Sequence, residues 1–200
     1  VVAARSRERA MVRVMNGEIG WANIDTLHRM VLDQILPRFG LDALPEAERA
    51  GFNLAWHRLD PWPDVVEGLA RLKKKYIISP LSNGNVALLT NMAKFAGMPW
   101  DLIMSAELFE HYKPDPETYL GAAALLGLKP SELMLVAAHK DDLLAAKKCG
   151  LATGFVPRTG ARDGTCSQLW SYKDHFSEGI WNRNLVMSPK NTRCTPCSPP

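Results

Sequence analysis

DVVEGLARLKKKYIISPLSNGNVALLTNMAKFA, residues 64–96, decides the fold. Asp64 is placed to cap a helix running to Lys75, and the apolar run Tyr76-Ile77-Ile78 reads as a short buried strand. The turn Ser82-Asn83-Gly84 then leads into a second helix over residues 86–96. The same alternation continues downstream. Leu102-Ile103-Met104 predicts a strand, 116–126 a helix, Leu133-Met134-Leu135-Val136 a strand, 142–149 a helix and Thr153-Gly154-Phe155-Val156 a further strand. Strands that alternate with helices imply parallel pairing through right-handed crossovers, so the expected fold class is α/β with a parallel sheet. Sheets of this kind gather their functional groups at the carboxyl ends of the strands.

Upstream the pattern is helical throughout. Residues 1–15 are rich in helix formers and carry Arg5, Arg7, Arg9 and Arg13, which read as a solvated face, before Asn16-Gly17 breaks the run. Over 23–39, Ile24, Leu27, Met30, Val31, Ile35 and Leu36 recur at three- and four-residue steps and predict an amphipathic helix. Pro45 opens another helical stretch through Trp56 that ends near Pro61 and Pro63. Downstream of Arg158, Ser, Thr, Pro, Cys and scattered Trp replace the apolar blocks. The expected organisation is therefore a helical region over 1–62, an alternating core over 63–158 and an irregular tail over 159–200.

Composition narrows the function classes. With 200 residues, 46% hydrophobic and 22% charged, the chain has the make-up of a soluble globular protein with one core or one core plus a small appendage. The net charge of +3 comes from 24 basic and 21 acidic residues spread along the chain, so nucleic acid is not an expected partner. No run approaches the roughly 18 apolar residues of a membrane span, and no signal peptide precedes the first helix. The cytoplasm is the expected compartment. Of the four cysteines, Cys194 and Cys197 form a C-x-x-C pair; a zinc site needs a second pair, so they read as free thiols. The sequence opens at Val1 without an initiator methionine, and an upstream segment is expected.

Three polar clusters follow predicted strands. Ser82, Asn83 and Gly84 combine a hydroxyl, an amide and a turn at a helix start, a combination suited to an anionic oxygen. Lys113 stands in Tyr112-Lys113-Pro114-Asp115-Pro116, fixed by two prolines. His139, Asp141 and Asp142 follow the strand at 133–136. Each also has a purely structural reading, since Ser-Asn-Gly is a common turn, Lys-Pro occurs in many loops and Asp142 could serve as an N-cap.

Taken in order, Pro80-Leu81-Ser82-Asn83-Gly84-Asn85, Tyr112-Lys113-Pro114-Asp115-Pro116-Glu117-Thr118-Tyr119 and Leu135-Val136-Ala137-Ala138-His139-Lys140-Asp141-Asp142 resemble the second, third and fourth motifs of the haloacid dehalogenase-like superfamily. The nearest subgroup is L-2-haloacid dehalogenase of type II. The stretch Ala55-Trp56-His57-Arg58-Leu59-Asp60-Pro61-Trp62-Pro63-Asp64-Val65 resembles the return from the helical cap into the core of that subgroup. The resemblance implies a Rossmann-like core under a helical cap, in which a carboxylate displaces halide from a small 2-haloalkanoic acid and water hydrolyses the resulting ester. It implies that Lys113 and Asp142 are catalytic, that Ser82, Asn83 and His139 bind substrate, and that neither a metal nor another cofactor takes part. Lys113 would balance the nucleophile's charge and Asp142 would position or activate water. Some relatives pair through the cap, so a homodimer is one expected assembly.

Two departures qualify the resemblance. The family's first motif, a strand ending in the nucleophilic Asp before a Gly-Thr turn, has no counterpart, and the earliest carboxylates are Glu8 and Glu18. A sheet short of its N-terminal strand is therefore expected, with an empty space beside Ser82, Lys113 and Asp142. Ala138 and His139 also stand where type II enzymes more often carry Ser and Asn. Two rival readings follow. A magnesium-dependent phosphatase of the same superfamily would want an acid at Ala138, which Asp141 replaces only in part. The other rival is a truncated homologue without catalytic activity.

Overall fold

The computed structural model of the chain describes residues 2–157 and 185–189. The helical third contains α1 (Val2–Met15), α2 (Ile24–Ile35) and α3 (Glu46–Asn53). Both longer expected helices end early in tight turns, α2 in a 3-10 turn over Leu36–Phe39 and α3 in one over Leu54–Arg58. Pro37 explains the first, because it has no N–H to continue the ladder and disfavours α geometry in the residue before it.

The alternating region yields α4 (Val65–Lys73), β1 (Tyr76–Ser82), α5 (Val86–Ala96), β2 (Met104–Ser105), α6 (Pro116–Leu125), β3 (Met134–Ala137), α7 (Lys140–Lys148) and β4 (Ala152–Phe155). β1 pairs with β2 in parallel, Leu81 opposite Met104, and β3 pairs with β4 in parallel, Met134 opposite Ala152. This is the expected α/β class.

The expectations for the gap and the tail need correcting. A fifth strand, β5 (Leu185–Pro189), runs antiparallel between β1 and β3 and gives the order β2-β1-β5-β3-β4. Tyr76 faces Pro189 and Pro80 faces Leu185 on one side, while Val136 faces Leu185 on the other. The space expected to be empty thus holds a strand, and that strand comes from the stretch read as irregular. Two facing strand edges present rows of unpaired N–H and C=O groups, and a third strand satisfies both at once. Leu185-Val186-Met187 is one short apolar run with no periodic neighbours, too little for sequence reading to separate from a loop.

Side chains alternate across the sheet and bury against both faces. Leu81, Leu135 and Ala137 pack with Tyr119, Ala122, Leu143 and Ala146, while Ile78 and Val136 pack with Val65, Leu69 and Leu72. A third cluster joins the helical third to the sheet layer, bringing Ala10, Ile24 and Leu27 against Leu88, Leu89 and Tyr112. Burying a leucine such as Leu27 or Leu69 fully contributes about 1.5–3 kcal/mol. The helical third is thereby seated on α5, beside the turn that ends β1.

Candidate active site

The site begins where β1 ends. The Gly84 N–H donates to Ser82 Oγ at 3.1 Å, which closes the turn and leaves the hydroxyl hydrogen available to a ligand. Asn83 is used differently. Its Oδ1 accepts the Lys113 N–H at 2.8 Å and its Nδ2 donates to the Lys113 carbonyl at 3.3 Å. This two-way clamp fixes the loop before α6 against the turn after β1.

The Lys113 side chain then runs under the strand ends, 7% exposed, and its Nζ donates to the Leu81 carbonyl and to Asp142 Oδ2, each at 2.8 Å. Asp142 lies in the first turn of α7, where the helix dipole favours negative charge. Its other oxygen, Oδ1, accepts the Tyr119 hydroxyl at 2.6 Å. Burial pulls the Lys113 ammonium below the usual lysine value, and Asp142 opposes that pull. Burial, reinforced by Asp142, pushes the Tyr119 hydroxyl well above its ordinary value, so it remains a donor.

Four of the five residues singled out in the sequence therefore meet: Ser82 and Asn83 in one turn, Lys113 clamped to Asn83, and Asp142 bonded to Lys113. His139 occupies the N-cap position of α7 but makes no side-chain cap bond. Asp141 is exposed at the same helix end. Tyr119 is the residue that sequence reading passed over. A tyrosine in an otherwise Gly-Ala-Leu-rich helix carries a usable signal, because a buried hydroxyl has to find a partner.

A second polar network lies behind the turn. Asp25, in the first turn of α2, accepts from His57 Nε2 at 3.0 and 3.1 Å and from Asn85 Nδ2 at 2.9 Å. Glu107 accepts from Asn23 Nδ2 and from the Val86 N–H, both at 2.8 Å. The Ser105 hydroxyl donates to the Gly84 carbonyl at 2.6 Å. Elsewhere, His111, Asp115 and Glu117 at the start of α6 place ligand-type atoms within 4.8 Å of one another, on the surface and without Lys113 or Asp142.

Residues 2–150 match the sequence model of the haloacid dehalogenase-like hydrolases, and the chain belongs to that family. Among characterised proteins, it is 37% identical over 109 residues to (S)-2-haloacid dehalogenase 4A of Burkholderia cepacia, covering 53% of this chain and 47% of that one. It is 30% identical over 177 residues to (S)-2-haloacid dehalogenase of Xanthobacter autotrophicus, covering 83% and 68% respectively. The crystal structure of the L-2-haloacid dehalogenase PA0810 superimposes with a TM-score of 0.75 at 49% identity, covering 78% of this chain and 68% of that one. The chain thus spans about half the length of the first relative and 68% of the second.

Proposed function

We propose that the chain carries the charged half of a site for hydrolytic dehalogenation of small L-2-haloacids to 2-hydroxy acids through an aspartyl ester. The observation that carries this reading is the Lys113–Asp142 pair, closed by Tyr119 and set beside the Ser82–Asn83 turn at the strand ends. Ser82 donates its free O–H to the substrate carboxylate, and Asn83 shapes the turn through its clamp on Lys113. Lys113 offsets the negative charge that gathers when two carboxylates share the site. Asp142 keeps a second lone pair on each oxygen, so it can orient a water toward the ester. With an ammonium on it, it is better suited to orienting than to abstracting a proton. His139, at the mouth of α7, borders the halide.

The same reading takes residues 1–62 as a cap over the strand ends, 63–158 as the core and 159–200 as a tail. A homodimer formed through the cap and a cytoplasmic setting belong to it as well. No helix among the described residues is long and apolar enough to cross a membrane. The phosphatase alternative fits the donor set poorly. Magnesium takes oxygen ligands in near-octahedral geometry, whereas Ala138 brings no oxygen and Asp142 already carries the Lys113 ammonium, a cation that competes with a metal for the same carboxylate.

Halide release from the two enantiomers of 2-chloropropionate tests the proposal. No stretch of this sequence matches the aspartate motif, and losing a covalent nucleophile removes most of the rate enhancement, so the 200-residue chain should release halide only at background. Extended N-terminally by an apolar strand ending in Asp before Gly-Thr, and relieved of Leu185–Pro189 so that the new strand can take the place between β1 and β3, it should turn over the L-enantiomer with a chelator present and lose that turnover on Lys113→Ala. Magnesium-dependent phosphate release by the extended form would hand the site to the phosphatase reading. No turnover of either substrate would leave a non-catalytic homologue.

A further inference from the structure

The N-termini of α2 and α5 face one another, and two carboxylates join them. Glu107 bridges Asn23, the N-cap of α2, to the Val86 N–H at the start of α5. Asp25 bridges the first turn of α2 to Asn85, the N-cap of α5. Both helix ends carry partial positive charge, which favours a carboxylate beside each of them, and Glu107 also satisfies the free Val86 N–H. The Asp25 bridge has a second arm. His57, 4% exposed, gives Nε2 to Asp25 and takes the Asn91 amide on Nδ1 at 2.9 Å, so α5 is held at Asn85 and again at Asn91.

Asn85 shows which bond decides the arrangement. It is 3% exposed, its Nδ2 is bonded to Asp25, and its Oδ1 has no partner. An amide free to choose would turn to satisfy both atoms, and a buried acceptor left unpaired is unfavourable. The charge on Asp25 holds it in place. Asn85 directly follows Ser82-Asn83-Gly84, so its position sets that of the turn.

We propose that Asp25 and His57 are positioning residues: acting through Asn85 and Asn91, they set the register of α5 and hence the affinity of the Ser82–Gly84 turn for a substrate carboxylate they do not touch. The proposal rests on the reading of that turn as the carboxylate site. It assigns a functional role to the helical third that does not depend on contact with substrate.

Titrating the 200-residue chain with L-lactate, a 2-hydroxy acid, and following the backbone amides of Ser82, Asn83 and Gly84 by NMR tests it. Asp25→Ala should weaken lactate binding about tenfold, since a small displacement of a binding group costs affinity steeply. Asn91→Ala, which removes one donor and no charge, should weaken it a few-fold. His57→Gln can keep both bonds and should stay within about twofold of the parent. Should Asp25→Ala fail to fold, Asn91→Ala and His57→Gln still rank the effect. Variants that melt earlier yet bind lactate as the parent does would overturn the positioning role alone. A parent chain whose turn amides do not respond to lactate would overturn the carboxylate-site reading, and the proposal with it.

Discussion

The hydroxyl of Tyr119 donates to Asp142 Oδ1 at 2.6 Å from a side chain with no exposed surface. Because Lys113 occupies the other oxygen, the two donors fix the carboxylate's plane. Tyr119→Phe removes one donor from a nearly buried anion and fills the same volume. Stability should fall by about 1–3 kcal/mol, read as a lower urea midpoint with an unchanged slope. A midpoint equal to the parent's would mean that the bond adds nothing.

Breaking the ion pair should be worse than replacing it. The Lys113 and Asp142 side chains are only 7% and 12% exposed, so Lys113→Met leaves a carboxylate with little water to solvate it, at a cost of about 3–5 kcal/mol. The double variant Lys113→Met with Asp142→Leu should recover much of that loss. Urea unfolding of the parent, Lys113→Met, Asp142→Leu and the double variant gives the coupling directly, and strictly additive losses would deny it.

His28 predicts a pH dependence with a definite sign. Its ring is 8% exposed, neither nitrogen has a hydrogen-bond partner, and it stacks on Trp56 at 4.7 Å. Burial, helped by Arg7 and His57 and opposed by Asp25, lowers its pKa from the usual 6.5 to about 4. The unfolded chain therefore takes up a proton that the folded chain declines. The stability tied to this ring is intact above pH 6.5 and is lost as pH falls toward about 4. His28→Phe keeps the stack and should narrow the gap between melting temperatures at about pH 7 and about pH 4.5. Identical gaps would sink the assignment.

Gly121 sits in the middle of α6, where alanine ordinarily stabilises a helix by about 1 kcal/mol. A Cβ there would lie 2.5 Å from both Cδ1 and Cε1 of Phe109. The ring has to move, and overpacking of this kind costs about 1–3 kcal/mol, so Gly121→Ala should lower the melting temperature. Combining it with Phe109→Leu should restore part of the loss; a stabilising Gly121→Ala would show that the ring yields freely.

What the sequence disclosed follows from how local each signal is. The 86–96 helix is bounded by Asn85 and Gly97, and its observed limits match the expected ones because both punctuating residues are neighbours in sequence. The turn, Lys113 and Asp142 were legible as residue types at strand ends. Their partners were not. Tyr119 meets Asp142, Asn85 meets Asp25, and Glu107 meets Asn23 only after the chain has folded, and no spacing rule links such pairs. β5 was illegible for the same reason, since its partners are the two edges it fills.

That strand also governs the order of assembly. Among the described residues β1 and β3 share no ladder of their own, and it is Leu185–Pro189 that makes one sheet of the two parallel pairs. During synthesis the β1–β2 and β3–β4 pairs leave the ribosome well before the segment that unites them. Two half-sheets, each with a bare edge, must wait for residues 185–189, and contacts so distant in sequence form slowly. For that interval the nascent protein exposes the kind of strand edge on which aggregation starts.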